Sequence, residues 1–414
     1  MTGVQTCALP ISSAGALSLK TLGSGIDTVL AVYTGSTVGS LTPVAANDDA
    51  TGTSSAVSFT ATEGTHYRIA VAGKGAAAGA IALSATWLPY GGYHPVTPAR
   101  VLDTRTTGGA LGQSEIRSLA LLGQGGLPAT GVDAVVMNVT VTGGTAPSVL
   151  TVWPAGVARP LASNLNWPTG DTRANVVVSA LGVLGAVSFV NATGSVHVIV
   201  DVVGWYDDGG PARATGSEFH PVTPARVLDT RNGTGSTPAP LGPGAVRTVT
   251  VAGHGGVPAT GATAVVVNVT VTDTTASSFL TVWPSDVPRP VASSLNWPAG
   301  STRPNLVFAP LAADGTLSVY NLAGQTAVVA DVVGWYGTAA GDAFVAQAPV
   351  RILDTRDTGV PIRQGETRTV RATGGAGVPT WATAVAINVT ATGATAPTFL
   401  TVWPTGIARP LASN

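Results

Sequence analysis

The sequence predicts an all-β protein built as tandem β-sandwich (jelly-roll-like) domains, beads on a string. Three observations carry that expectation. Apolar residues alternate with polar ones or run on for only a few positions, as in "DAVVMNVTVT", "SVLTVWP" and "SVHVIVDVVGWY", and no helical stripe of adequate length occurs. Gly 52 and Pro 29, in a chain with 45% hydrophobic residues, describe many short buried strands joined by turns. The third observation is a domain-sized block that returns along the chain.

"YHPVTPARVLDTR" at Tyr93 to Arg105 reappears as "FHPVTPARVLDTR" at Phe219 to Arg231 and, more loosely, as "FVAQAPVRILDTR" at Phe344 to Arg356. "NVT" begins at Asn138, Asn268 and Asn388, "LTVWP" ends at Pro154, Pro284 and Pro404, and "DVVGWY" begins at Asp201 and Asp331. A unit of this length can bury its own core, unlike the short repeats of a solenoid. Two complete repeats therefore span 93–206 and 219–336, each followed by a polar, Gly-containing linker. A third spans 344–414, where Asn414 aligns with Asn164; without the counterpart of Leu165 to Tyr206 it is expected to leave its inner faces uncovered.

The formal net charge of -1 and the scattered basic residues give no electrostatic footprint for nucleic acid. No apolar run reaches the length needed to cross a bilayer. The single cysteine, Cys7, lies in "MTGVQTCALPI". That stretch lacks the basic start and the long apolar run of a signal peptide. It resembles the translation of a common sequencing-library adapter, so residues 1–11 are expected to pack against nothing.

Residues 12–88 read as further strands and turns, through "IDTVLAVYTGS", "VAANDDATGTSSAVSFTATEGTHYRIAVAG" and "GAIALSATW". In order, their Asp-Thr, Val-Tyr, Asn-Asp-Asp and Gly-Thr-x-Tyr marks resemble the bacterial pre-peptidase C-terminal domain with its first strands missing. That resemblance implies a small β-sandwich appended to secreted peptidases and other exported proteins. The three repeats resemble the VLDTR/DVVGWY tandem repeat of large secreted proteins from high-GC bacteria, which carries no established activity over to this chain.

Candidate chemistry is sparse. His94 recurs as His220 but is replaced by Val345, and no HExxH, GxSxG or His pair at ligand spacing occurs, so no catalytic residues are assigned and the chain is read as a non-enzyme. Asp201 shares a strand face with Ile199, Val203 and Trp205 and needs a buried partner, for which Arg105 or Arg173 is the candidate; Arg231 or Arg303 would serve Asp331. Asp103 with Arg105, and Asp229 with Arg231, complete the expected clasp. Trp153, Trp167, Trp283 and Trp297 each precede a proline at an expected strand end, where a ring either fills the core or turns outward to stack on sugar. Asp27, Asn47, Asp48 and Asp49 are hard oxygen donors near strand ends, and some relatives of the resembled N-terminal family bind calcium. Asx-rich turns without metal are the alternative.

The expected function is therefore that of non-catalytic adhesion modules of a larger secreted or cell-surface protein, recognising polysaccharide, cell-wall polymer or a protein surface. The alternatives are the accessory C-terminal region of a secreted hydrolase, most naturally a peptidase, and a passive spacer stalk. Neither nucleic acid nor a membrane span is expected.

Overall fold

The computed structural model describes the chain apart from residues 1–4, 11–14, 51, 63, 90, 210–214, 340, 347–348, 375–377, 379, 381, 397 and 411–414. The chain divides into two compact units, the first essentially Met1–Gly91 and the second holding all three repeats.

In the first unit, strands β1 (Gln5–Pro10), β2 (Gly15–Lys20), β3 (Thr28–Thr34), β4 (Thr42–Asn47), β5 (Ala56–Ala61), β6 (His66–Gly73) and β7 (Ser84–Pro89) form two sheets, ordered β1-β6-β3-β4 and β5-β2-β7. Alternate residues such as Leu17, Leu19, Leu30, Val32 and Ile69 fill the space between them. The opening segment departs from expectation. Rather than packing against nothing, β1 runs antiparallel to β6, with Cys7 opposite Ile69 and Leu9 opposite Tyr67. The physical reason is the edge that β6 would otherwise present: a row of unpaired backbone groups accepts an adjoining extended segment.

Repeat 1 comprises β8 (Tyr93–Asp103), β9 (Ile116–Ala120), β10 (Val132–Thr142), β11 (Ser148–Pro154), β12 (Leu165–Trp167), β13 (Arg173–Ala180), β14 (Ala186–Asn191) and β15 (His197–Asp207). Repeat 2 follows with β16 (Glu218–Asp229), β17 (Val246–Thr250), β18 (Ala262–Thr272), β19 (Ser278–Pro284), β20 (Leu295–Trp297), β21 (Arg303–Pro310), β22 (Thr316–Asn321) and β23 (Ala327–Gly337). Each is an antiparallel sandwich of two four-stranded sheets, ordered β13-β10-β15-β8 and β12-β11-β14-β9 in repeat 1 and equivalently in repeat 2. Tandem sandwiches are thus what the chain forms.

Every ladder in repeat 1 joins a strand of its first half, β8 to β11, to one of its second half, β12 to β15. That interleaving explains repeat 3, which has the counterparts of β8 to β11 alone. None of those four pairs with another, so no ladder can form, and the described residues of 344–414 contain no strand. Val385, Ile387 and Val389 are 38 to 48% exposed, whereas their counterparts Val135, Met137 and Val139 are buried.

The linkers do not reveal that the repeats also share a core. The central strand β18 is buried on both faces: Val265, Val267, Val269 and Val271 point into its own sandwich, while Ala264 and Val266 point into a second cluster. Tyr93, Val136 and Tyr206 of repeat 1 meet Val266, Phe308 and Tyr336 of repeat 2 there. Double-sided burial accounts for the near-continuous apolar runs "VVMNV" and "VVVNV", where a one-sided sheet would alternate. The glycine of "DVVGWY" serves this seam, because a Cβ at Gly204 would overlap the Tyr93 ring and one at Gly334 the Phe219 ring.

Candidate functional site

Asp201 on β15 stands opposite Arg100 of β8 and Asn138 of β10. Arg100 Nε donates to Asp201 Oδ1 at 2.9 Å and its Nη2 to Oδ2 at 3.2 Å, the bidentate geometry that suits a buried carboxylate. Arg105 grips Asp103 in the same way, at 2.9 and 2.6 Å. Repeat 2 reproduces the arrangement, with Arg226 on Asp331 at 2.9 and 3.2 Å and Arg231 on Asp229 at 2.9 and 2.7 Å. Arg100 Nη1 also approaches Asp103 at 3.5 Å, and Arg226 Nη1 approaches Asp229 at 3.1 Å, which links each pair of carboxylates through one guanidinium.

The expected partners require correction. Asp201 is held by Arg100, not by Arg105 or Arg173, and Asp331 by Arg226, not by Arg231 or Arg303. Cross-strand register decides the pairing, and it places Arg100 and Arg226 directly opposite. Arg173 instead bonds Asp171 at 2.7 Å, and Arg303 reaches the same Asp171 across the seam at 3.2 Å. Burial pushes the Asp201 carboxyl upward against the pull of Arg100. Hydrogen bonds from Arg105 hold Asp103 below its ordinary value, and those from Arg231 lower Asp229 to about 2. Both oxygens of each of these four carboxylates accept from a guanidinium, the arrangement of a structural clasp.

The four tryptophans also require correction as ligand contacts. Trp153, Trp167, Trp283 and Trp297 are 3 to 4% exposed, so none offers a ring face to a sugar. Trp153 Nε1 instead donates to Val157 O at 3.1 Å, and Trp283 Nε1 to Val287 O at 3.0 Å. Each indole thereby pins the loop that follows its strand. Thr151 Oγ1 and Thr281 Oγ1 fix the far side of those loops through Ala162 O and Ala292 O, both at 2.7 Å. Between the anchors the loops present Arg159-Pro160-Leu161 and Arg289-Pro290-Val291, with Leu161 83% and Val291 81% exposed. "RPL" and "RPV" were visible in the sequence; the signal was their recurrence between two strands.

Sequence reading also missed His94 against Asp207. His94 Nε2 lies 3.0 Å from Asp207 Oδ2, with its ring stacked on Trp205 at 3.9 Å. His220 stacks on Trp335 at 3.8 Å, but Gly337 stands where Asp207 would be. The stacking recurs and the histidine–carboxylate hydrogen bond does not.

In the first unit, Asp27, Asp48 and Asp49 each bring a carboxylate oxygen within 4.8 Å of the others. Asn47 does not join them. Its Oδ1 accepts from Ala56 N at 3.0 Å and so closes the β4–β5 turn. Lys74 Nζ lies 2.9 Å from both Asp48 and Asp49, and those contacts raise its pKa. Asp27 Oδ1 and Asp48 Oδ1 are buried atoms without a hydrogen-bond partner. Three converging carboxylates with two orphaned oxygens fit a hard divalent cation such as calcium, while Lys74 already neutralises part of their charge.

No family model and no curated protein sequence matches this chain. Two solved structures with which it aligns come from the triple jelly-roll fold and turret assembly of an archaeal virus and from Sulfolobus Turreted Icosahedral Virus. They align at 11% identity over 80% of this chain and 81% of that one, and at 12% over 81% and 83%, each with a TM-score of 0.16.

Proposed function

We propose that this chain is a non-catalytic extracellular binding array, in which each complete repeat holds out one Arg-Pro-apolar loop toward a protein surface or an anionic wall polymer. The observation that carries the reading is the pair of indole-pinned loops: the recurring tryptophans are turned inward, and what they hold outward is Leu161 and Val291, with Arg159 beside the first and Arg289, its guanidinium over the Tyr320 ring at 4.0 Å, beside the second. An exposed apolar side chain on an anchored loop loses little conformational freedom on binding, and an adjacent guanidinium supplies direction toward carboxylate or phosphate. Extracellular location rests on the resemblance of the repeats to those of secreted proteins. Repetition serves avidity, since a second copy at fixed spacing can strengthen binding by about a hundredfold or more to a ligand that itself repeats.

Retention of the chain on insoluble peptidoglycan, chitin, cellulose and collagen tests this. Binding to peptidoglycan or collagen is expected, with loss in the Leu161→Asp, Val291→Asp double variant and little change in His254→Ala, while the uncharged chitin and cellulose should not retain the chain. If neither peptidoglycan nor collagen retains it, the adhesion reading fails. The shared apolar seam favours a second reading in that case, a stiff spacer.

A further inference from the structure

The contacts between repeats are head-to-tail, and they recur in cyclic order. Asn138 of repeat 1 is held by repeat 2: its Nδ2 donates to Ser293 O at 2.6 Å, and its Oδ1 accepts from Asn305 Nδ2 at 3.0 Å. Asn388 of repeat 3 is held by repeat 1 through the matching residues. Its Nδ2 donates to Ser163 O at 2.5 Å, and its Oδ1 accepts from Asn175 Nδ2 at 3.1 Å. The aromatic contacts rotate in the same sense. Tyr336 of repeat 2 packs on Tyr93, the first residue of repeat 1, at 4.3 Å, and Tyr206 of repeat 1 stacks on Phe344, the first aromatic of repeat 3, at 4.1 Å. Tyr206 and Tyr336 join through their hydroxyls. The connections match as well: Tyr93 exchanges both backbone bonds with Ser217, and Phe219 does so with Asp342.

A head-to-tail contact either propagates into a filament or closes into a ring. Here repeat 3 follows repeat 2 along the chain and yet contacts repeat 1 as repeat 1 contacts repeat 2. Three such steps would return to the start. We propose that three repeats of this sequence form one closed ring about a pseudo-three-fold axis running through the tyrosine cluster. The surfaces of repeats 1 and 2 that meet residues 344–414 are then a docking surface for one complete third repeat. Residues 344–414 correspond to the first part of such a repeat, and the remainder of the unit corresponds to Leu295–Tyr336. A copy of that segment would supply a counterpart of Asn305 beside Asn268 of repeat 2, and a counterpart of Tyr336 to Phe219. It would also supply the strands with which the first half of repeat 3 must pair.

The test uses the full chain with Cys7→Ser, carrying Asn175→Cys with Asn388→Cys. A parallel version carries Ser163→Cys with Asn388→Cys, in case the first pair disturbs the fold. Both are made with and without a copy of Leu295–Tyr336 appended after Asn414, treated with a short bis-maleimide, and followed by peptide mass spectrometry and amide hydrogen exchange. The ring requires an intramolecular cross-link in the monomer band, with amides around Val385 to Val389 becoming protected at least tenfold once the segment is appended. Protection without a cross-link in either pair would mean independent beads. Cross-links found only between chains would mean an open assembly, and an appended repeat that stays unprotected would show that no seat exists; each of these outcomes overturns the proposal.

Discussion

Asp201 illustrates what a single buried charge demands. Its side chain is 1% exposed, and what chiefly steadies it as a carboxylate is the fork of Arg100, which is 26% exposed and shared with Asp103. Asp201→Asn leaves that guanidinium half-paired at the seam, so it should destabilise the second unit by about 3 kcal/mol, the low end for breaking a buried pair because Arg100 keeps Asp103 and some water. Arg173→Met, which breaks a more exposed pair, should cost about 1 kcal/mol or less. Thermal unfolding of the two variants decides the matter, and equal losses would remove the clasp from consideration. The pH dependence has two signs. Asp229 titrates at about 2 when folded, below the ordinary carboxylate value of about 3.9. Its contribution is therefore complete above about pH 4 and disappears as pH falls through about 2. Asp201 is raised, so between the ordinary value and its own the folded state takes up the proton first, and its contribution grows as pH falls through that window. The melting temperature should accordingly drop mainly below pH 4, and Asp229→Asn should flatten that limb; identical acid limbs would contradict the assignment. The face that Asp201 shares with Val203 marked it for burial, but what covers that face is the neighbouring repeat. Its arginine partner was not legible, because "PARVLDTR" and "DVVGWY" meet through a bulged antiparallel register that neither segment encodes alone.

At the scale of elements, strands were the legible part, because period-two patterning and Gly or Pro punctuation are local. The direction of the tryptophan rings was not. Trp153 lies at the end of β11, where an exposed ring is plausible, but the chain folds back as the 155–164 loop and covers it, a return that depends on the indole itself. The N-terminal acidic group shows the same division. "NDDA" was recognisable as a cluster of oxygen donors, and the turn brought Asp48 and Asp49 to Asp27, while Asn47 was taken by the strand end. Lys74 came unannounced from the short 3-10 turn after β6. Millimolar calcium should raise the melting temperature of the first unit, by the linkage that yields about 2.7 kcal/mol at a hundredfold excess over Kd. Lys74→Met should strengthen the response by removing the competing ammonium, and Asp48→Asn should abolish it. A melting curve indifferent to calcium in both wild type and Lys74→Met would show that the cluster is a lysine-bridged turn.

For the whole molecule, the consequence of the seam is that a repeat's fold and its company are not separable. Tandem order, the two complete sandwiches and the inability of 344–414 to close its core could be read from alignment of the repeats against one another. Their mutual packing could not, because the outward residues of a central strand look like any buried run until a partner is placed on them. Taken alone, residues 93–206 are expected from sequence to fold as an independent unit. The structure adds that such a unit would expose Ala134, Val136, Val203, Tyr206 and Tyr93, all buried in the intact chain. Each large side chain of that kind left in water forgoes about 1.5 to 3 kcal/mol, so the monomer is poorly matched to its own surface. Because the seam is head-to-tail, one repeat carries both halves of it: the Asn138 side, and the Ser163 with Asn175 side. Isolated 93–206 should therefore self-associate with increasing concentration and stop at a trimer, the closed form of a contact that returns after three steps. Sedimentation velocity across a hundredfold concentration range reads this directly, and Tyr206→Asp together with Val136→Asp should return it to a monomer. A single repeat that stays monomeric and cooperatively folded throughout would mean that the seam is too weak to hold without the covalent connection, and that the chain's linkers, not its surfaces, keep the repeats together.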